Sequence, residues 1–471
     1  MKTPGGTDGS KRPGTPYCSE KIEYSKESTH YLAKRERRSP PEPYDRASGR
    51  NGSLGYPATA LFVRQPMSED IIQFSQRMDR LPPYLFGTIN ALKDSKRRAG
   101  IDIIDMAMGN PTDATPDPIV DKLCEVVKDP RNHRYSAASG LYNLRREVAK
   151  YYESNWGVDL DPETEVIATI GSKEGFSHLC LALLGPGDLA FVPTPSFPIH
   201  SYAVIIAGGE CLGVPVEDDE QFIRQIDETC TKMTDKPKVL FLNYPHNPTA
   251  HTVDTAFFEE VVTLANRHNL AVVHDFAYSQ ITFDGYQAPS FLSTPGAKEI
   301  GCEFTTMSKS FNMAGWRIGY CAGNRRIIGA LGQIKGYYDY GIFQAIQIAS
   351  IIGLRHCGEL VDEQAMKYQE RRDVLLEGLA RIGWENVESP RAGMFVWARL
   401  PEKYIEMGSM EFARRMMEDA EVAVAPGIGF GPEGEGYLRL ALIENRPRLQ
   451  QAVRQIGRAF QKWDSEDPSG D

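Results

Sequence analysis

The sequence predicts an α/β protein, a mostly parallel sheet flanked by helices, followed by a smaller α+β domain. From about residue 165 to 322, short β-branched runs alternate with helical stretches, the signature of strands joined by crossover helices. After about residue 345 the order becomes mixed, with long charged helices between single strands. The chain has 471 residues, 41% hydrophobic and 25% charged, which is ordinary globular composition and long enough to close a reaction site against water.

The first 66 residues stand apart. They hold twelve Lys and Arg against seven Asp and Glu, and only seven Met, Ile, Leu, Val or Phe, too little apolar area to offset the entropy of ordering. Residues 1–66 are expected to be a disordered extension, with translation expected to begin at Met67. Residues 67–110 then open the small domain, 111–345 form the large domain, 346–463 complete the small one, and 464–471 are a disordered tail. In the large domain, strands are expected over Glu165–Ile170, Leu189–Val192, Lys238–Leu242, Leu270–Val273, Glu303–Thr306 and Trp316–Cys321, with helices over Glu174–Leu184 and Val253–His268. The second helix places Phe257, Phe258, Val261, Val262 and Ala265 on one stripe. The small domain reads as helix Glu359–Ile382, strand Met394–Leu400, helix Ser409–Ala420, strand Tyr437–Ile443 and helix Arg446–Trp463.

The formal net charge is −10, and the basic extension leaves −15 on residues 67–471, which argues against nucleic acid and anionic membrane surfaces as partners. No run reaches the 18 or so apolar residues that cross a bilayer. The eight cysteines are scattered without a C-x-x-C pair or zinc spacing, so reduced thiols, no metal and a cytoplasmic location are expected.

Chemistry is expected where polar residues follow strands, because ligands of open parallel sheets bind outside the carboxyl ends. Gly171, Ser172 and Lys173 open a helix and offer N–H groups to an anion such as phosphate, or a plain N-cap. Asn247 lies in L-F-L-N-Y-P-H-N-P-T, a Pro-rigidified loop or simply a good turn. Asp275 ends L-A-V-V-H-D-F-A-Y, with Tyr278 three residues on; a buried acid there needs a cation or several donors, or caps the next segment. Lys309 follows the strand in E-F-T-T-M-S-K-S, eight residues before Arg317, and a Lys in a dry site near other cations becomes a nucleophile for carbonyl carbon. Arg439 is the lone charge in Y-L-R-L-A-L-I, suited to a bound carboxylate or to a distant acid. Together these residues describe the needs of a phosphorylated pyridine aldehyde: an amine for the imine, an acid for the ring nitrogen, donors for the phenolic oxygen, and cations with N–H groups for the phosphate.

The order H-N-P-T, D-x-x-Y, S-K-S-F-N-M-A-G-W-R-I-G and R-L-A-L-I-E-N-R resembles the fold type I, pyridoxal-phosphate-dependent class I aminotransferases from about Asp79 to Trp463. D-R-L-P-P-Y, G-S-K-E-G and P-G-I-G-F-G are similar to the branch of bacterial glutamate–pyruvate (alanine) aminotransferases, with LL-diaminopimelate aminotransferases as neighbours. The resemblance implies pyridoxal 5'-phosphate as cofactor and amino acid and 2-oxo acid as substrates. It implies Lys309 as the cofactor-linked lysine, Asp275 on the ring nitrogen, Asn247 and Tyr278 on the phenolic oxygen, and Ser172, Lys173, Ser308 and Arg317 on the phosphate. It also implies Arg439, helped by the Gly109 backbone, on the substrate α-carboxylate. Tyr135 would reach the phosphate of a neighbouring subunit, which implies a homodimer with shared sites. Two positions depart from the branch: Phe197 stands where a Tyr commonly stacks on the ring, and Thr306 replaces a frequent Ser. Alanine is the expected amino donor, with aspartate or LL-diaminopimelate transamination, or a same-fold β-lyase or synthase, as alternatives. A ligand-sensing regulator on this fold would need a folded DNA-binding module that the apolar-poor residues 1–66 do not supply.

Overall fold

The structure, a computed structural model, describes residues 72–82, 85–385 and 387–466. The expected extension, the start at Met67 and residues 467–471 lie outside them. The described strands are β1 (Ile104–Met106), β2 (Val166–Thr169), β3 (Leu189–Thr194), β4 (Glu210–Pro215), β5 (Val239–Asn243), β6 (Ala271–Asp275), β7 (Gly301–Thr306), β8 (Gly319–Gly323), β9 (Phe395–Arg399), β10 (Val422–Pro426) and β11 (Tyr437–Ala441). They form a seven-stranded sheet in the order β2-β8-β7-β6-β5-β3-β4 and a four-stranded sheet in the order β1-β10-β11-β9.

Every neighbour pair from β7 through β6, β5 and β3 to β4 is parallel, and β8 runs antiparallel to both β7 and β2. Parallel neighbours need a long crossover. The link from β7 to β8 holds only the short helix Met307–Ser310 and the 3-10 turn Ala314–Trp316, so β8 turns straight back. The strand expected from Trp316 begins three residues later, at Gly319, because Arg317 adopts a left-handed conformation (φ 56°). Arg317 therefore stands at the edge where the parallel strands end, although its own strand runs the other way.

β5, β6 and β7 are buried along their whole length or nearly so, as their continuous apolar runs demand of strands covered on both faces. One apolar cluster gathers Leu144, Tyr152, Phe258 and Tyr320, another gathers Phe176, Val192, Phe241 and Phe304, and a third fills the smaller sheet around Trp384, Phe412 and Phe460. β1, β4 and β10 have no counterpart in the sequence reading. β4 is a partly exposed edge strand carrying Gly213 and Pro215, β10 is the short run V-A-V-A-P, and β1 has three residues, so none shows a period of its own. The last helix, Arg446–Glu466, runs three residues past Trp463, so 464–466 of the expected disordered tail are helical, held where Asp464 accepts from Lys403 Nζ and Tyr404 Oη. No described helix is long and apolar enough to cross a membrane.

β6 and β7 are also tied by a polar knot. Glu303 is fully buried, and its carboxylate receives Tyr152 Oη at 2.9 Å, Ser290 Oγ at 2.9 Å, the Phe291 N–H at 2.9 Å and His274 Nδ1 at 2.8 Å. On its other side, His274 Nε2 lies 3.1 Å from the Tyr244 nitrogen and 3.0 Å from the Tyr244 carbonyl oxygen, so the imidazole also ties β6 to the end of β5. Glu303→Gln turns an acceptor into a donor facing other donors. It should cost about 3 kcal/mol of stability, read as a lowered urea midpoint; an unchanged midpoint would show that the knot is dispensable.

Candidate active site

β5, β6 and β7 end, and β8 begins, at one edge of the large sheet. There a cavity of about 230 Å³ is lined by Ser172, Lys173, Phe197, Asn247, Asp275, Tyr278, Ser308, Lys309, Arg317 and Arg439, together with Gly109. All the sequence-predicted site residues except Tyr135 thus share one cavity.

Asp275, the last residue of β6, is only 7% exposed. Its Oδ2 meets His200 Nε2 at 3.0 Å, while Oδ1 is buried without a hydrogen-bond partner. A buried carboxylate oxygen left open is costly, so this one suits a donor arriving with a ligand. Lys309 stands in the short helix after β7 and donates from Nζ to the Gly109 carbonyl at 2.6 Å. Burial, then Arg439 and Arg317, with Asp275 opposing, bring its amine down to about 8. About a tenth of the amine is therefore unprotonated at pH 7, against well under a hundredth for an ordinary lysine, and this free base is the form a nucleophile requires.

At one end of the cavity Gly171 takes φ 72° and leads into the helix Ser172–Leu183. A Cβ there would lie 2.3 Å from Arg317 Nη2, so only glycine lets the guanidinium cross this turn. Partial desolvation, and then Arg317, hold Lys173 below the ordinary lysine range. Thr306 Oγ1 and Ser308 Oγ lie 2.8 Å apart beside them. Helix N–H groups, two cations and hydroxyls make an anion cradle.

At the other end, Arg439 is 3% exposed and lies between Phe395 and Phe430, 4.1 and 4.6 Å from their ring centres. Its Nη1 donates to Asn247 Oδ1 at 2.8 Å and its Nη2 to the Ala107 carbonyl at 2.9 Å. Asn247 Nδ2 in turn donates to Tyr278 Oη at 3.3 Å. Burial, partly offset by Arg439, pushes the Tyr278 hydroxyl well above its ordinary range, so it stays protonated and its hydrogen is directed elsewhere than Asn247. Gly109 is required beside this group, since a Cβ would lie 2.6 Å from the Phe395 ring.

Tyr135 is 85% exposed and packs on Tyr340, with ring centres 4.9 Å apart. His200, Asn243 and Phe395 escape the sequence reading. Asn243 donates to the Asp275 carbonyl at 2.7 Å and accepts the Asn247 N–H at 2.9 Å, holding the ends of β5 and β6 together. As the terminal residue of a buried strand it carried the same signal as Asp275. His200 lies inside a helix, where nothing local marks it.

Residues 101–456 match the family model for aminotransferase class I and II. The chain is a class I and II aminotransferase. It is 49% identical over 384 residues to the glutamate-pyruvate aminotransferase AlaC of Escherichia coli K12, covering 82% of this chain and 93% of that protein. It is 42% identical over 391 residues to the LL-diaminopimelate aminotransferase of Moorella thermoacetica, covering 83% and 99%. Substrate-bound BacF from Bacillus subtilis superposes with a TM-score of 0.78 at 31% identity, covering 82% and 98%. This aminotransferase uses pyridoxal 5'-phosphate and acts on amino acids and 2-oxo acids. The open Asp275 oxygen, the Lys309 amine and the anion cradle fit that cofactor.

In the cofactor-free chain, modification of Lys309 by a neutral amine reagent should rise with pH through a midpoint near the free-base transition at about 8, followed by peptide mass spectrometry. A midpoint at the ordinary lysine value would show that the site leaves the ammonium hydrated.

Proposed function

We propose that this enzyme moves an amino group between L-alanine and 2-oxoglutarate or pyruvate, in a homodimer with shared sites. The observation that carries the reading is the single cavity in which an open, buried acid oxygen, an amine of lowered pKa and a buried guanidinium face one another. The large lobe (111–345) would hold the cofactor, and 67–110 with 346–463 would form the small lobe.

Bound pyridoxal phosphate supplies an aldehyde for amine exchange and a protonated ring able to take up the electron pair left at the substrate Cα. Asp275 Oδ1 would hold the proton on the ring nitrogen, with His200 keeping the carboxylate oriented. Tyr278, accepting from Asn247, has its own hydrogen free for the phenolic oxygen. Ser172, Lys173, Ser308 and Arg317 would grip the phosphate, and Phe197 would stack on the ring. Arg439 would orient the substrate α-carboxylate, and Lys309, once displaced, would carry the proton between the substrate Cα and the cofactor carbon as general base.

The preference for alanine is supported by charge accounting in the cavity. Its lining cations are Lys173, Lys309, Arg317 and Arg439, and phosphate, aldehyde and α-carboxylate engage all four. None of these lining residues is left for a second carboxylate, which suits a small uncharged side chain. The dimer reading rests on Tyr135, Tyr337 and Tyr340, which are 85%, 88% and 67% exposed, an aromatic surface suited to a second copy. The described cysteines are all unpaired, in keeping with a cytoplasmic enzyme.

The loaded enzyme should convert L-alanine and 2-oxoglutarate to pyruvate and glutamate in equal amounts. Ammonia release would indicate a lyase instead, and a higher kcat/KM for L-aspartate or LL-diaminopimelate would move the substrate assignment. Asp275→Asn should fold normally by circular dichroism yet lose turnover by about 100-fold or more; near-wild-type rates would remove the ring-nitrogen role.

A further inference from the structure

Behind the phosphate end of the cavity lies a group of charges that the reaction itself does not use. Glu174 stands in the first turn of the helix Ser172–Leu183, where an acid competes with a bound anion for the positive helix end. Its Oε2 accepts the Ile170 N–H at 2.6 Å, bracing the peptide that leads into Gly171. The carbonyl of Ile170 faces Arg317 Nη2 at 3.5 Å, so the turn is held from both sides. The acid is thus useful to the geometry of the cradle and harmful to its charge.

Lys335, on the helix Arg325–Tyr338, resolves the conflict. It is fully buried, and its Nζ lies 3.1 Å from Glu174 Oε1 and 3.0 Å from Asp339 Oδ2. His178 Nδ1 lies 2.5 Å from Glu174 Oε1 and 3.9 Å from Asp339 Oδ2. Glu174, His178 and Asp339 are spaced as metal ligands would be, but the Lys335 ammonium bonds to both carboxylates. A lysine with no exposed surface is tolerated only with such partners.

We infer that Lys335 is a positioning residue for the cofactor phosphate: it neutralises Glu174, so that a carboxylate can brace the Ile170–Gly171 turn without repelling the phosphate beside it. The inference rests on the assignment of the phosphate to Ser172, Lys173 and Arg317.

The test titrates cofactor-free protein with pyridoxal phosphate and, separately, with pyridoxal, which lacks the phosphate, following absorbance and recording Tm for each variant. The wild type should bind the phosphorylated form far more tightly. Lys335→Met should raise the Kd for pyridoxal phosphate about ten-fold and leave that for pyridoxal unchanged. Adding Glu174→Gln to Lys335→Met removes the stranded charge at the Ile170–Gly171 turn, leaving only that of Asp339, and should restore binding to within about three-fold of wild type. Glu174→Gln alone keeps an oxygen for the Ile170 N–H and should bind pyridoxal phosphate at least as tightly as wild type; this arm decides the matter if Lys335→Met does not fold. Equal weakening toward both ligands with a lowered Tm, an unchanged preference for the phosphorylated form in Lys335→Met, or a ten-fold loss in Glu174→Gln would each overturn the inference. A wild type that does not distinguish the two ligands would instead remove the phosphate assignment on which it stands.

Discussion

A buried carboxylate with one oxygen satisfied and one open governs the site. Asp275 is kept from water at the end of a central strand, and His200 occupies only Oδ2. Such an acid must be completed by a donor, since an unpaired charge in a dry place costs several kcal/mol. The surrounding construction keeps that demand aimed at the cavity. Asn243 binds the Asp275 carbonyl, and the Glu303–His274 knot joins β6 to β7 through His274, which directly precedes Asp275, and Glu303, on the strand that leads to Lys309.

The remaining charge balance follows from that acid. Lys173, Lys309, Arg317 and Arg439 line the same cavity with Asp275 as their only acidic companion among its lining residues. Burial, and after it the neighbouring cations, lower the Lys309 amine, which is the property that the proposed chemistry needs. The same excess of positive charge is what a phosphate and a carboxylate would relieve, so affinity for the ligands and part of the activation of the lysine share an electrostatic source, with burial supplying the rest. The cradle then faces a limit of its own, because the acid that shapes its turn, Glu174, opposes the charge it is shaped for. Lys335 answers that limit from a neighbouring helix.

Much of this was legible along the chain. Asp275, Asn247 and Lys309 follow apolar runs too continuous for edge strands, so their polarity stood out against burial, and the motif order narrowed the family. The direction of β8 was less legible. Its residues read as a strand, but only the short β7–β8 link and the left-handed Arg317 place that guanidinium at the common edge. His200 was silent because a histidine inside an apolar helix has no local signature; its role comes from a partner 75 positions away. Tyr135 shows the converse, a residue prominent in the motif that does not line this chain's own cavity.

By itself the sequence determined the layered α/β architecture, the strands that end in working residues and the chemical types those residues supply. Periodicity and burial demand act over a few neighbouring positions, and both are written locally. Tertiary structure decided which oxygen of Asp275 remains open, how far the Lys309 amine is lowered, and that Lys335 meets Glu174 behind the Ile170–Gly171 turn. Those outcomes depend on distances between segments far apart in the chain and on the exclusion of water, and neither exists before the sheet and its helices close together.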